Sequence, residues 1–321
     1  MKVSVVIPSF NRCDALKLTL EHLARQEYNG QWEVIVVNNN STDDTDSVVQ
    51  AQEFPCELKL VRRTTPGAVA MSRNAGARQA RGEFLIFIDN DILVEPTFVA
   101  DHVEMLEANP GCWILGAIEP LPEQEDLPLG QFRRSLSPKS TDKGVHETLA
   151  FTGANCSLPK RDFERLGGFD EGFFISSSED QELAMRARGD LGVRVLSVPH
   201  IRGIHNDWAG WTFADYCRRQ NLYSQTDYYF WLKYGEDHPR LQLVNESLPV
   251  KLREDSLRLI FRKLMKRVLG ASVVQFGLIK AASVQERFGI SRRVLWITYK
   301  LCLAGAINEG VRKGRLTVIG H

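Results

Sequence analysis

Asp89-Asn90-Asp91 places two carboxylates directly after the apolar run Phe84–Ile88 of this 321-residue chain. The run predicts a buried strand, and open α/β sheets bind ligands at the C-terminal ends of their strands. Mg²⁺ and Mn²⁺ prefer oxygen ligands and are commonly held by one or two carboxylates together with substrate phosphates. The motif therefore indicates a metal and diphosphate site, although a simple turn explains the same three residues.

Glu179 and Asp180 form a second acidic pair, just before the predicted helix Glu182–Ala187. A carboxylate at this place can remove the proton from a hydroxyl group as that hydroxyl attacks a carbon centre. The helix macrodipole favours the charged form of a carboxylate in the first turn. On the residues alone, helix capping is the simpler interpretation of the pair.

Strands and helices alternate through the first part of the chain and determine where these carboxylates lie. Apolar runs predict three strands, at Val3–Ile7, Glu33–Val37 and Phe84–Ile88. Three helices are predicted between them, at Asp14–Gln26, Asp46–Gln52 and Ala70–Gly82. This alternation predicts an α/β fold with a Rossmann-like, mostly parallel sheet flanked by helices.

Six segments, taken together and in order, resemble glycosyltransferase family 2, whose members have the GT-A fold. They are VVIPSFN at 5–11, VNNNSTDDT at 37–45, RNAGAR at 73–78, DND at 89–91, GGFDE at 167–171 and SEDQEL at 178–183. Each segment is weakly specific, but the shared order extends over about residues 3 to 205. Asn38-Asn39 stands where many members have two aspartates, and an amide can donate as well as accept, so the donor nucleotide stays open.

The resemblance implies an inverting transferase that moves a sugar from a nucleotide-diphosphate donor to a hydroxyl of a glycan or glycolipid acceptor. It assigns the role of general base to Asp180 and places Glu179 beside the donor or acceptor sugar. It also implies nucleotide-binding positions at Pro8, Phe10, Asn39, Arg73 and Asp89.

The resemblance further implies a divalent metal, Mg²⁺ or Mn²⁺, bound by Asp91 with support from Asp89. In family members a histidine after the strand predicted at Arg194–Val198 often completes the metal site, which here points to His205. His200 is the competing candidate. A role as an ordinary polar residue in a loop explains His205 equally well.

The acceptor side is predicted around Gly153, Trp208 and Trp211. Gly153 lies in a segment, 150–159, that resembles the strand lining the acceptor side in the family. Aromatic faces stack on sugar C–H surfaces, so the two tryptophans suit an acceptor platform, and core packing remains the alternative. The later aromatic residues between 216 and 231 recur at helical spacing and are predicted to be core.

The predicted organisation is a catalytic domain at 1–249 followed by a basic helical extension at 250–321. The catalytic domain has a nucleotide-binding half, about 1–118, and an acceptor-side half, about 145–249, with a proline-rich connection at 119–143. Residues 250–321 carry 15 Lys and Arg against 4 Asp and Glu, in a chain of zero net charge. Their apolar residues recur at helical spacing, which suits either an interfacial helix on anionic lipid or a helix packed on the domain or on a second subunit. Packing is favoured, because charged helix faces are usually just solvated. No recognition motif accompanies the charge, which argues against nucleic acid as a partner.

Cysteine usage and hydropathy predict a cytoplasmic protein. Peripheral contact with the inner face of the membrane is an open alternative. The six cysteines are scattered without a Cys-x-x-Cys pair. The first strand leaves no room for a signal peptide, and no apolar stretch is long enough to span a bilayer. Two other functions stay open. A sugar-phosphate nucleotidyltransferase would be expected to carry a Gly-rich phosphate loop near the first strand, and a non-catalytic glycan-binding protein would not need the acidic pairs.

Overall fold

The computed structural model describes residues 1–136, 144–175, 177–206, 211–235, 244–289 and 291–319. The chain divides into two compact units. The first comprises Met1–Asp126, Arg134–Phe174 and Glu179–Ala209, and the second comprises Leu127–Arg133, Ile175–Ser178 and Gly210–His321. The predicted domain boundary at residue 249 stays a prediction.

The elements up to the middle of the chain follow the predicted alternation. Their bounds are β1 Val3–Ser9, α1 Cys13–Leu23, β2 Trp32–Asn38, α2 Thr45–Gln50, β3 Glu57–Arg62, α3 Val69–Gln79, β4 Phe84–Ile88, β5 Ile92–Val94, α4 Phe98–Ala108 and β6 Cys112–Pro120. The predicted irregular connection contains two short helices, α5 Pro122–Glu125 and α6 Pro128–Leu136, and its residues 137–143 lie outside the described part of the chain.

The remaining elements complete the sheet and then become helical. They are β7 His146–Glu147, β8 Asn155–Pro159, α7 Lys160–Arg165, α8 Glu179–Leu191, β9 Arg194–His205, α9 Phe213–Tyr223, α10 Asp227–Tyr234, α11 Leu257–Gly270, α12 Ser272–Arg287 and α13 Arg292–Ile319. The helical character predicted for residues 250–321 is therefore confirmed for its described part.

The strands form one sheet in the order β3-β2-β1-β4-β8-β6-β9-β5, with β7 beside β9. The four strands from β3 to β4 are parallel, as predicted. The other half is mixed, because β8 runs antiparallel to β4 and β6, and β5 runs antiparallel to β9. The sheet is thus mixed rather than mostly parallel, and its parallel half ends at β4 beside the Asp-Asn-Asp motif.

Alternate residues of the central strands enter two separate cores, one on each face of the sheet. Val5 and Ile7 join the core that includes helices α1 and α4, whereas Val6 joins the core that includes α3 and α8. Gly76 of α3 faces the side chains of Val6 and Val37, so a larger residue there would push this helix away from the sheet. Helices on both faces bury both sides of the strands, which explains their continuous apolar sequences.

The second unit is built around the long helix α13, which contacts α9, α10, α11 and α12. Tyr299 of α13 stacks on Phe213, with ring centroids 3.7 Å apart, and meets Phe132 edge-on at 4.9 Å. Tyr216, Tyr228 and Phe230 are buried, which confirms the core prediction for part of the aromatic residues between 216 and 231. Within the described residues, no single helix has the length and hydropathy of a membrane span. The consecutive helices α11 and α12, bent by 72°, reach those values only as a pair.

Candidate active site

The Asp-Asn-Asp turn at the end of β4 is anchored by its middle residue. Asn90 is buried, its Nδ2 donates to Ser9 Oγ at 2.9 Å, and its carbonyl accepts from Thr19 Oγ1 at 3.0 Å. These bonds tie the turn to β1 and α1. The two flanking carboxylates are therefore held in place by the backbone while keeping their own separate partners.

Asp91 lies next to His205 because β5 pairs with β9. Ile92 stands opposite His205 in the antiparallel ladder, and the Asn206 N–H donates to the Asp91 carbonyl at 2.8 Å. The His205 Nε2 is 3.6 Å from Asp91 Oδ1, and the Arg12 Nη1 is 3.5 Å from Asp91 Oδ2. His205 is the last residue of β9 rather than part of a loop, so strand register determines its position.

Arg73 joins the turn after β4 to the start of α8. Its Nη2 donates to Asp89 Oδ1 at 2.7 Å and its Nη1 donates to Glu179 Oε1 at 2.8 Å, while only 3% of its side chain is exposed. Burial alone would lower the pKa of Arg73, but the neighbouring carboxylates raise it. Gly153 lies against this guanidinium, since a Cβ at that position would be 2.5 Å from Arg73 Cζ. Arg73 is thus a fixed cation between two acidic groups.

The carboxylates of Glu179 and Asp180 differ in environment although they are adjacent in the chain. Glu179 is buried, and its Oε2 has no hydrogen-bond partner among the described residues. Burial, together with the charge of Asp180, raises the pKa of Glu179 above its usual range, while Arg73 opposes that shift. Asp180 is half-buried, and its Oδ2 accepts from the Gly153 N–H at 3.1 Å. The two residues therefore suit different chemical roles.

Three of the five predicted nucleotide positions, Pro8, Phe10 and Asn39, lie at or near the ends of β1 and β2. Phe10 is exposed, and Pro8 is buried within β1 opposite Val37. Asn39 accepts from Arg63 Nη1 at 2.6 Å and donates to a backbone carbonyl at 2.7 Å, so the protein itself uses both ends of its amide. Arg63 is a neighbour that the sequence did not single out.

The predicted acceptor residues belong to different units or lie outside the described residues. Gly153 belongs to the site just described. Trp211 belongs to the second unit, where Arg219 lies 5.0 Å from its ring centroid. Trp208 lies outside the described residues. His200 is exposed, whereas His205 lies beside Asp91, which favours His205 as the metal-site histidine.

A buried polar cluster that the sequence did not reveal supports β8 and β9. His102 of α4 lies between Ser157 Oγ, 2.8 Å from its Nδ1, and Asn155 Oδ1, 3.0 Å from its Nε2. The Asn155 Nδ2 donates to Ala117 O at 2.9 Å and to Ile201 O at 3.2 Å. These bonds lie where the register of β6 and β9 shifts. The only local signal is that His102 follows Phe98 at helical spacing on the core face of α4.

Asp91 and His205 fit part of a divalent metal site. They offer an oxygen and a nitrogen atom from two different strands, and both are largely buried. Asp89 is instead engaged by Arg73. In the described ranges, no group of three His, Cys, Asp or Glu side chains lies close enough to hold an ion. A bound ion would therefore complete its coordination with donor phosphates or water, as Mg²⁺ commonly does.

Comparisons of sequence show which family and relatives the chain is similar to. The sequence model described as Glycosyl transferase family 2 matches residues 4–166, about half of the chain. Validoxylamine A glucosyltransferase of Streptomyces hygroscopicus subsp. jinggangensis (strain 5008) is 35% identical over 213 residues, which cover 57% of this chain and 50% of that protein. The O-antigen biosynthesis protein RfbC of Myxococcus xanthus is 30% identical over 257 residues, which cover 75% of this chain and 19% of that protein. The chain thus spans half the length of the first relative and about a fifth of the second.

A solved structure shows the same fold. The mannosyltransferase PcManGT from Pyrobaculum calidifontis, in complex with GDP-Man and Mn²⁺, superimposes with a TM-score of 0.58 at 20% identity. The match covers 94% of this chain and 86% of that chain. The predicted fold class, a GT-A sheet flanked by helices with a C-terminal helical region, is confirmed by this likeness.

Proposed function

The chain belongs to glycosyl transferase family 2, and we propose that it transfers a sugar from a nucleotide-diphosphate donor to a hydroxyl of a glycan or glycolipid, with inversion at the anomeric carbon. The observation that carries the proposal is the double contact of Arg73 with Asp89 and Glu179. One guanidinium group thereby joins the acidic turn after β4 to the acidic start of α8. The metal-binding and proton-accepting chemistry that an inverting transferase needs thus meets in one site.

The donor diphosphate would bind beside Asp91 and His205. These two residues would hold Mg²⁺ or Mn²⁺, and the ion would neutralise charge on the diphosphate as it leaves. Arg12, 3.5 Å from Asp91, adds a permanent positive charge at the same place. The GDP-Man and Mn²⁺ bound by PcManGT support this choice of ligands. The nucleotide base and the sugar stay open.

Asp180 is the general base of the proposal. The hydroxyl oxygen of the acceptor attacks the anomeric carbon, the bond from that carbon to the diphosphate oxygen breaks, and the hydroxyl proton passes to the Asp180 carboxylate. The bond from the Gly153 N–H fixes the orientation of this carboxylate at the start of α8. Such a base is available to a substrate because Asp180 is only half-buried.

Glu179 has a different role in this proposal. Its carboxyl is buried against Arg73, and burial raises its pKa because the ionised form is less favourable there than on an exposed carboxyl. We assign it to positioning Arg73, which in turn holds Asp89. The unpartnered Oε2 leaves one acceptor for a hydroxyl of a bound sugar.

A panel of UDP-, dTDP- and GDP-sugars tests the proposal. Binding is measured by calorimetry and donor hydrolysis by nucleotide release, each with Mn²⁺ and again with EDTA. We expect at least one sugar nucleotide to bind in a metal-dependent way and to be hydrolysed slowly, with hydrolysis lost in Asp180→Asn. Family membership favours this reaction over nucleotidyl transfer, which would instead release pyrophosphate from a nucleoside triphosphate. Failure of every sugar nucleotide to bind would contradict the proposal.

A further inference from the structure

Helix α11 in the second unit turns an apolar stripe outward. Five large apolar side chains recur at the spacing of one helix face, and each of them is exposed. They are Leu257, Phe261, Leu264, Met265 and Val268, which we call the outward stripe. Leu257 is 87% exposed and Phe261 is 64% exposed. Single exposed apolar residues are ordinary on protein surfaces, but a contiguous row of this kind marks an interaction surface.

The opposite side of the same helix is the buried side, and it carries a lysine. Only 2% of Lys263 is exposed, and its Nζ donates to Asp255 Oδ2 at 2.7 Å and to Pro249 O at 3.2 Å. Gly270, also buried, lies against Asn308 and Gly305 of α13. Burying a lysine is costly unless it is paired. These contacts orient the helix and thereby keep the outward stripe away from the core of the unit.

The charged residues of α11 itself are all positive. Helix α11 contains five Arg and Lys residues and no Asp or Glu. Arg262 and Lys266 are engaged by Glu246 at 2.6 and 2.8 Å. Arg258 and Arg267 are exposed and flank the stripe on its two sides, by helical geometry. The stripe is therefore an apolar band between basic edges.

Helix α12, which follows α11 after a 72° bend, also exposes apolar and basic side chains. Its exposed positions include Val273, Phe276 and Val284 together with the basic residues Lys280 and Arg287. The Lys280 Nζ lies 5.6 Å from the Phe276 ring centroid, within the range of a cation–π contact. Glu286 is the one acidic residue of this helix, and Tyr299 of α13 donates a hydrogen bond to it.

We propose that the outward stripe docks on the surface of a bilayer that contains anionic lipid, with α11 lying in the plane of the interface. Apolar side chains between Lys and Arg edges are the pattern of helices that bury one face at the headgroup boundary. A second copy of this chain is a poorer occupant. In a twofold interface the same patch meets itself, so the arginines at the edges would face like charges with no acidic residue of α11 to offset them. Anionic headgroups pair with those arginines instead.

Vesicle sedimentation with the full chain tests the docking. The protein is mixed with phosphatidylcholine vesicles, or with vesicles that also contain phosphatidylglycerol, at low and high salt. We expect strong binding only to the anionic vesicles, weakening as the screening length falls from about 10 Å at 0.1 M salt to about 3 Å at 1 M. Arg258→Gln/Arg267→Gln should lower the partition coefficient roughly 30-fold. Each basic residue near an anionic surface contributes about 1 kcal/mol of binding free energy, and the variant removes two.

Two further variants distinguish membrane docking from a subunit contact and from general charge attraction. Phe261→Gln/Leu264→Gln should abolish binding to anionic vesicles. The circular dichroism spectrum should stay unchanged, since both side chains are exposed in the folded protein. Arg25→Gln/Arg165→Gln removes the same charge from exposed positions of the first unit and should bind vesicles like the native protein. Equal binding to neutral and anionic vesicles, or none to either, overturns the proposal. So does a native oligomer whose molar mass by light scattering falls in Phe261→Gln/Leu264→Gln, because the stripe would then be a subunit contact.

Discussion

Replacing Arg73 with methionine removes the guanidinium group between Asp89 and Glu179 while keeping an unbranched side chain. Removing one partner of a buried ion pair typically costs about 3–5 kcal/mol, because the other charge stays buried without compensation. Glu179 is in that position, with 4% of its side chain exposed, whereas Asp89 keeps 32% and is reached by water. We therefore expect Arg73→Met to lower the free energy of unfolding at neutral pH by about 3 kcal/mol, the lower end of that range.

The same variant should become relatively more stable at acid pH. Burial and the charge of Asp180 raise the pKa of Glu179, and Arg73 lowers it, so the variant loses the opposing effect and the pKa rises further. A raised folded pKa means that the folded state favours the protonated carboxyl. The stabilisation from that preference is complete below the ordinary value of 4.5 and is lost as the pH rises through the raised value. The deficit of Arg73→Met should accordingly be small at acid pH and grow as the pH increases.

Urea unfolding followed by tryptophan fluorescence at several pH values measures this deficit. Glu179→Gln is the matched background, because glutamine keeps the shape of the side chain but does not ionise. On that background Arg73→Met should lower the free energy of unfolding by less, and this loss should depend little on pH. An equal loss of unfolding free energy in both backgrounds would refute the role given to the Arg73–Glu179 contact. A loss below about 1 kcal/mol, the size expected for an exposed ion pair, would refute it as well.

Three other predictions concern the base, the metal and the buried histidine. Asp180→Asn should reduce sugar transfer by roughly 10² or more with nucleotide affinity unchanged, as measured by steady-state kinetics and calorimetry, because an amide accepts no proton; near-normal turnover would make Asp180 a helix cap. Asp91→Asn should remove the gain in nucleotide affinity that Mn²⁺ provides while leaving Tm unchanged, and EDTA should do the same to the native protein; a gain retained in the variant would contradict the metal assignment. Burial, partly opposed by the bond to Asn155, lowers the pKa of His102 to about 4 from an ordinary 6.5. Its neutral form therefore stabilises the fold fully above 6.5, and roughly 3 kcal/mol should be lost as the pH falls toward 4. Urea titrations of His102→Gln should show a shallower dependence on pH than the native protein, and equal slopes would refute this assignment.

Part of the first unit could be predicted from local sequence, whereas β3, β5, β6 and α4 were not predicted. Apolar runs of the right length produced β1, β2 and β4 within a residue or two, because a strand buried on both faces needs apolar side chains on both. The Asp-Asn-Asp turn could be placed at the end of β4 for the same local reason. The predicted parallel arrangement holds from β3 to β4, whereas the second half of the sheet is mixed, since strand direction in β8 and β5 depends on partners far along the chain.

The sequence by itself determined the composition of the candidate site: acidic pairs after a strand and before a helix, a histidine after a later strand, and the family order of motifs. Only the tertiary structure decided which of these side chains meet. Sheet register places His205 beside Asp91, and the position of α3 lets Arg73 reach Asp89 and Glu179. The same limit applies to α11. Its apolar spacing was evident from the sequence, but whether the apolar face points inward or outward was not. A helical period specifies a face, but the packing of Lys263 against Asp255 decides that this face turns outward.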